Sequence, residues 1–268
     1  MKSRTRPLMM AILSLISVSS EAAVITLPQL SVDQINPLFR ELASDLAYRP
    51  VEGAARLGGI GNFGLEFGAS LVGTSTASIN SIVGSSSGSI LPGAFLDLGL
   101  GLPGGFGIEL GFIPSISIQG TTFKNYGGNL RWNASRLFPA LFFDLAVRAM
   151  VTSAGLNTTQ ILQGATINVD YSTTIEAGTI TVGKTFLGFV EPYIALGYVT
   201  SGSTLSYSGS AVLFGQGFQS GTTSVNASNG SVWFNGGLQF RLLILQLGLE
   251  YDNIYGNDAF STKFSFRL

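Results

Sequence analysis

Residues 94–112 read AFLDLGLGLPGGFGIELGF, an alternation that breaks once, at Pro103-Gly104-Gly105, and resumes. Ala94, Leu96, Leu98, Leu100 and Leu102 share one face, and Phe106, Ile108, Leu110 and Phe112 continue it. The other face carries Phe95, Asp97, Gly99, Gly101, Gly107, Glu109 and Gly111. Period-two alternation with a tight break predicts a hairpin of two strands with unlike faces.

The same pattern recurs along the chain. It predicts strands at about 54–73, 92–102, 106–118, 126–136, 140–153, 172–185, 190–200, 230–241, 244–253 and 259–268. The Leu/Phe row includes Leu57, Phe63, Leu65, Phe67 and Leu71 in the first strand. Leu130, Trp132 and Ala134 carry it in the fourth, and Leu141, Phe143, Leu145, Val147, Ala149 and Val151 in the fifth. The sixth strand is ambiguous: Ile175, Ala177, Thr179 and Thr181 favour one register, Ile180 and Val182 the other, and a bulge reconciles them. Residues 154–171 and 201–229 read as long polar loops, with Ala211–Phe218 extending a hairpin. Long and very short connections alternate. That is the extracellular-loop, periplasmic-turn rhythm of a membrane barrel with an even strand number, here about ten (8–12). At about 3.3 Å per residue and about 40° of tilt, a ten-residue strand climbs roughly 25 Å, the height of the apolar band.

One helix is predicted, at about 37–48. Asn36 is its cap, Pro37 its first residue, and Leu38, Leu42 and Leu46 its apolar stripe; Pro50 ends it. Arg40, Glu41, Asp45 and Arg49 lie between. The helix has two readings, a plug inside the barrel or a cap on its periplasmic side.

Composition decides what the greasy face touches. The chain is 46% hydrophobic and 11% charged, with mean hydropathy +0.40 and net charge −1. A soluble domain carries about 25% charged residues. The charged strand residues are Arg56, Glu66, Asp97, Glu109, Arg131, Arg136, Asp144, Arg148, Glu176, Lys184, Glu191, Arg241, Glu250, Asp252, Lys263 and Arg267. All but Arg136 are assigned to the face opposite the Leu/Phe row. A soluble β-sandwich would expose that Gly/Ala-rich face, a poor surface for water, so the chain reads as all-β: a closed antiparallel up-and-down transmembrane β-barrel with lipid outside. The balanced charge offers nothing to nucleic acid.

Residues 1–22 read as a secretory signal peptide. Lys2, Arg4 and Arg6 precede an apolar run too short to span a bilayer, and Ser20-Glu21-Ala22 is a small-x-small cleavage site. Residues 23–50 form a linker plus the helix, and 51–268 the barrel. There is no cysteine, so export brings no disulfide framework.

The closing KFSFRL resembles the terminal strand of Gram-negative outer-membrane β-barrel proteins. The segment VGKTFLGFVEPYIALGY (182–198) resembles the strand-turn-strand of uncharacterised small barrels. The resemblance implies an outer-membrane location, lipid as surroundings, a monomer, and an assembly signal at Phe264, Phe266 and Leu268 read by the outer-membrane assembly machinery. Leu268 stands where such strands end in an aromatic residue, and Lys263 where they often have glycine.

Candidate chemistry is sparse. Gly99-Leu100-Gly101-Leu102-Pro103-Gly104 matches a dinucleotide fingerprint, but a strand follows where the motif needs a helix. Without His or Cys there is no Ser-His-Asp or Cys-His nucleophile and no usual zinc site. The site left is a lumen charge network: Glu66, Asp97, Glu109, Arg131, Asp144, Arg148, Lys184, Glu191, Arg241, Glu250, Asp252, Lys263 and Arg267. Its near neutrality predicts a salt-bridged, closed or barely conducting interior, with no cofactor, metal or enzymatic chemistry. Trp132, Phe189, Tyr193, Tyr198 and Tyr251 suit interfacial girdles. The functional reading is a narrow barrel with a structural or small-solute/ligand-passing role. The alternatives are a surface adhesin or ligand-binding protein acting through its long loops, or a hydrophobic-compound uptake channel.

Overall fold

The structure, a computed structural model, describes residues 32–55, 63–75, 90–118, 121–135, 141–162, 165–213, 216–219 and 223–268. The expected signal peptide at 1–22, Arg56, Leu57 and Arg136 fall outside them. A helix α1 (Val32–Leu46) precedes strands β1 (Gly64–Ser75), β2 (Ile90–Gly101), β3 (Phe106–Ile118), β4 (Thr121–Asn133), β5 (Asp144–Leu162) and β6 (Ala165–Gly183). Then come β7 (Val190–Leu213), β8 (Gln216–Gln219), β9 (Thr223–Leu242), β10 (Leu245–Ile254) and β11 (Asn257–Arg267). Successive wall strands pair antiparallel, β1 pairs β11, and β6 pairs β7. Ten strands therefore close on themselves; β8 adds a short hairpin to the tip of β7.

Turn chemistry sets the short ends. Gly104 and Gly105 take φ of 82° and 87° between β2 and β3, where left-handed backbone favours glycine. Tyr255-Gly256 is a paired left-handed turn, the geometry of a two-residue hairpin, and Leu187-Gly188 repeats the pair within the three-residue turn between Phe186 and Val190.

The outer wall carries the greasy row: Leu65, Phe67 and Leu71 on β1, Leu96, Leu98 and Leu100 on β2, Leu247 and Leu249 on β10, Phe264 and Phe266 on β11. A closed barrel pairs every wall strand on both edges, so its backbone is satisfied without water. This is the construction of an outer-membrane barrel, with β1 starting and β11 ending at the periplasmic side.

Several sequence expectations need correction, and most share one cause. Residues 154–171 and 201–229 are largely strand, not loop, because β5, β6, β7 and β9 continue past the lipid. There the faces invert. Asn157, Asn168, Asp170 and Asn226 point out, while Ala154, Leu156, Ile167, Val169, Tyr171, Tyr207 and Val225 are buried inside. Water now wets the outside, so the polar residues move there. The same inversion explains the sixth strand. Ile180 and Val182 point outward below the inversion, and Ile175 points inward above it. Thr179 and Thr181 also point inward, and β6 pairs β5 and β7 without a bulge. Glu176 consequently faces out rather than in. It pairs with Val151 and Thr200 at the upper edge of the belt, below exposed Thr174 and Ser172, where water reaches it.

Four smaller corrections follow from enclosure and chain reach. Helix α1 begins at Val32, so Pro37 lies inside it; the apolar period runs back through Ile35, and only one helical acceptor loses its donor. The first strand begins at Gly64 rather than near 54, and residues 47–55 lie inside the barrel. Tyr193 points inward to a carboxylate and is no girdle residue. Ala134 is buried just past the end of β4.

Lipid contact predicts a depth-dependent cost. Leu249→Arg, at mid-belt, should destabilise the barrel by about 2–4 kcal/mol, and Ser172→Arg, above the belt, by about 0–1 kcal/mol. Urea unfolding in lipid vesicles reads both, and equal costs would contradict the assigned lipid boundary.

Candidate functional site

The lumen is occupied by the chain's own N-terminal segment. Helix α1 stands at the external end, within the extensions of β5–β9, and residues 47–55 descend to the periplasmic end. Leu38, Phe39, Leu42, Ala43 and Leu46 pack on Met150, Ile175, Val199, Val225, Trp233 and Ile254 of the inner wall. The Phe39 ring lies 5.7 Å from that of Tyr171. The helix's last carbonyls need donors once enclosed. Arg49 supplies two, to Ser44 O at 2.6 Å and Ala47 O at 3.0 Å, and Asn125 donates to Leu46 O at 3.0 Å. The helix thus packs inside the wall, across and above the external edge of the lipid belt.

Glycines make the seat below it. A Cβ on Gly111 or Gly127 would collide with the Tyr48 ring, and one on Gly248 would lie 2.6 Å from Val51 O. Tyr48 N donates to Thr152 Oγ1 at 2.9 Å, and its ring meets Phe95 edge-on. Arg49 Nε then pairs with Asp252 at 3.3 Å, and Trp233 Nε1 donates to the same carboxylate at 2.8 Å. Beside it, Tyr193 donates to Glu250 at 2.9 Å.

The periplasmic half is centred on Glu52, which is fully buried. Its carboxylate meets Arg131 at 2.7 Å, Arg267 at 3.1 Å and Lys263 at 3.3 Å. Its backbone neighbours are held as closely. Arg148 donates to Glu52 O at 2.6 Å and Gly53 O at 2.7 Å, Asn133 to Ala54 O at 2.6 Å, and Lys263 to Pro50 O at 3.2 Å. Arg131 reaches Gly53 O at 3.1 Å and also Ala55 O. Gln239 accepts from Gly53 N at 3.2 Å, and Glu191 accepts from Ala55 N at 2.8 Å while pairing with Arg241.

Of the thirteen network residues named from sequence, Asp144 and Lys184 stay at the periplasmic rim. Asp144 takes a bond from Ser135 Oγ at 3.0 Å, and Lys184 sits 5.2 Å above the Phe142 ring. Glu66 pairs with Arg267 at 2.7 Å and Lys263 at 2.8 Å; Glu109 lies 3.8 Å from Lys263. Asp97 faces the same interior from β2, buried beside Gly111. The remaining members are those described around Glu52, Glu191 and Asp252. Glu52 and Tyr48 went unrecognised in the sequence, although the inward glycines opposite them were a signal: a row of missing side chains needs something to fill it. Among the described residues, no group of three metal-ligating side chains forms a metal site.

Phe264, Phe266 and Leu268, expected from sequence to form an assembly signal, lie on the lipid side of the barrel's last strand and its end. Phe264 and Phe266 meet edge-on at 5.2 Å, and Leu268 exchanges backbone bonds with Leu65, which closes the barrel.

On α1, outside the spanning strands, burial pushes the Asp45 carboxyl up to about 7, against the pull of Arg49.

A family of unknown function (DUF6588) matches residues 61–266. No curated protein sequence matches. Among solved structures, the chain is similar to Ail, the attachment invasion locus protein of Yersinia pestis. Identity is 10% over 77% of this chain and 97% of that one, with a TM-score of 0.33. Neisserial surface protein A gives 11% identity over 77% and 96%, with a TM-score of 0.28. The beta domain of the Bordetella autotransporter BrkA gives 15% over 76% and 98%, with a TM-score of 0.37.

Two outcomes test the site. Glu52→Gln leaves Arg131 without its carboxylate and Lys263 and Arg267 with wall carboxylates alone, and should cost about 3–5 kcal/mol, read from the urea midpoint of the refolded barrel. Asp45 has its folded-state pKa raised above the unfolded value. Folding is therefore unpenalised below about pH 4 and loses up to about 1.4 kcal/mol per pH unit as pH rises toward 7. Asp45→Asn should abolish that part of the decline; an unchanged pH profile would contradict the burial.

Proposed function

For this chain, which belongs to the family of unknown function DUF6588 and is an outer-membrane β-barrel, we propose a structural, surface-presenting role with a lumen shut by its own N-terminal segment. The observation that carries this reading is the seat of residues 47–55. Carbonyls of Pro50, Glu52, Gly53, Ala54 and Ala55 are bonded to wall side chains, and Glu52 is met by three cations. A solute path would need this segment to leave, exposing Arg131 and Arg148 side by side.

What the barrel presents is the external sheet of β5, β6, β7 and β9. Its outer face is a polar ladder. Asn157 donates to Asp170 at 3.1 Å, Thr159 to Asn168 at 2.7 Å and Thr204 to Asn226 at 2.7 Å. This surface is where an adhesive or ligand-binding activity would reside, and no enzymatic chemistry is assigned. The barrel works as a monomer, and the assembly machinery reads Phe264, Phe266 and Leu268.

Hydrophobic-compound uptake is a second reading, favoured by the apolar inner face at Ile167, Val169, Leu205 and Tyr207. It requires the plug to yield.

Planar-bilayer recording separates the readings. The refolded protein should show no steady current at neutral pH, and Glu52→Gln should show intermittent openings. Sustained ohmic conductance by the unaltered protein would overturn the shut lumen.

A further inference from the structure

We propose that the external edge of β9, from Thr223 to Val232, is a docking site for an extended peptide, which joins the external sheet as a further strand and sets a carboxylate on Arg40. This deepens the surface-presenting reading above and rests on it.

The registers define the edge. β7 pairs β9 without interruption from Phe240 to Thr223, whereas β10 pairs β9 only as far as Trp233, opposite Ile254. There β10 gives way to the Tyr255-Gly256 turn. Beyond Trp233, β9 therefore has a neighbour on one side alone among the described residues. The open stretch runs about 30 Å at about 3.3 Å per residue. Arg241 N donates to Phe189 O, on the β7 side. Bonding sides alternate along an antiparallel strand, so the odd-numbered residues of β9 bond to β7. Ser224, Asn226, Ser228 and Gly230 turn their N–H and C=O groups to the side that β10 has left, and all four are exposed. The sheet's other edge is better covered. β4 follows β5 up to Thr158, which leaves only Thr159–Leu162 beyond it.

Open edges are ordinarily defended by charges, proline or bulges. Residues 223–232 read TSVNASNGSV, with neither charge nor proline, and their register with β7 has no bulge. A row of free N–H and C=O groups is complemented by another extended backbone. The side chains set the rest. Val225 is buried and Ala227 half-buried on the inner face, while Ser224, Asn226 and Ser228 are exposed on the outer one. An added strand continues both faces with apolar residues inward and uncharged polar residues outward. Arg40 supplies the charge. It is exposed, its Nε donates to Asn229 Oδ1 at 2.8 Å, and among the described residues no carboxylate pairs with it. The guanidinium is thus held beside the edge with donors to spare, and an inward Asp or Glu of the added strand, opposite Asn229, meets it.

Amide hydrogen exchange of the refolded protein, resolved by NMR, tests the edge. Without a partner, Ser224, Asn226, Ser228 and Gly230 should exchange fast while Val225, Ala227, Asn229 and Ser231 stay protected. The probe is a blocked peptide alternating threonine with valine, with one central glutamate in a valine position and lysines at its ends. At millimolar concentration it should slow the even-numbered amides about tenfold or more. The same peptide N-methylated at every residue should do nothing, since it has no donors to give. Three variants, checked for folding by heat-modifiability on gels, separate backbone from side chain. Ser228→Pro removes a free donor and no ladder bond, and should abolish probe binding, whereas Ser228→Ala should keep it. Arg40→Gln should weaken the glutamate probe about two- to fivefold and leave its glutamine counterpart unchanged. Even-numbered amides protected without probe overturn the proposal, because the edge is then already filled: by this chain if protection is independent of protein concentration, by a second copy if it rises with it. Failure of the probe to protect them overturns it too, as does equal binding by the N-methylated peptide or by Ser228→Pro. Undiminished binding of the glutamate probe to Arg40→Gln overturns the assigned carboxylate. Steady conductance would overturn the shut lumen and leave these amides as they are, so the two readings fail separately.

Discussion

Arg131 and Arg148 sit directly opposite each other on neighbouring strands, both pointing inward and both buried. Two like charges at that separation, out of water, are unfavourable unless something supplies negative potential between them. The wall does not supply it alone. The answer comes from Glu52 and the carbonyls beside it, which arrive from a segment outside the barrel's own strands. The rest of the lumen is arranged around that compensation. Lys263 and Arg267 share Glu52 with Arg131 while also holding Glu66, so the segment and the first and last strands are tied into one charge network. The network that seats the plug is therefore also the network that spans the seam where the barrel closes.

The wall itself answers to two solvents. Along β6 the same strand shows lipid an isoleucine at 180 and shows water a threonine at 174, while its inner face changes from Thr181 and Thr179 to Ile175 and Tyr171. Below the boundary the interior is polar because the exterior is lipid. Above it the interior is apolar because the exterior is water. Helix α1 rests in the upper part, where an apolar stripe is needed to pack on, and the extended polar stretch rests in the lower part, where donors are needed to bond to.

This is also why the sequence was readable in some places and not in others. The belt strands and their short turns were legible because an alternation with one greasy face and paired left-handed turns has few other meanings. The external halves of β5, β6, β7 and β9 were not. Their alternation is reversed and diluted by Ser, Thr and Gly, and such composition reads as loop unless the inversion is anticipated. The inward charges were legible as a set, since each lies opposite a Leu or Phe. Their partners were not. Glu52 lies in a stretch with no alternation to place it, Asp144 obeys the alternation but lies too near the strand end to reach the interior, and Lys184, like Glu176, falls on the outward face of Ile180 and Val182.

The composition of the seated stretch follows from what the wall reads. Arg131, Arg148, Asn133 and Lys263 donate to main-chain carbonyls, and Gln239 and Glu191 accept from main-chain N–H groups. A wall that grips backbone needs close approach, and close approach needs small side chains on one partner or the other. Gly53, Ala54 and Ala55 provide it from the segment. Gly111, Gly127 and Gly248 provide it from the wall, where Tyr48 and Val51 are larger. Only at Glu52 does a long side chain enter the charged half of the lumen, and it does so where three cations converge. Backbone recognition accounts for the fit of the segment, and a single carboxylate accounts for its register: shifting the chain by one residue would place a glycine or a valine there, leaving Arg131 without a counter-ion and Lys263 and Arg267 with wall carboxylates alone.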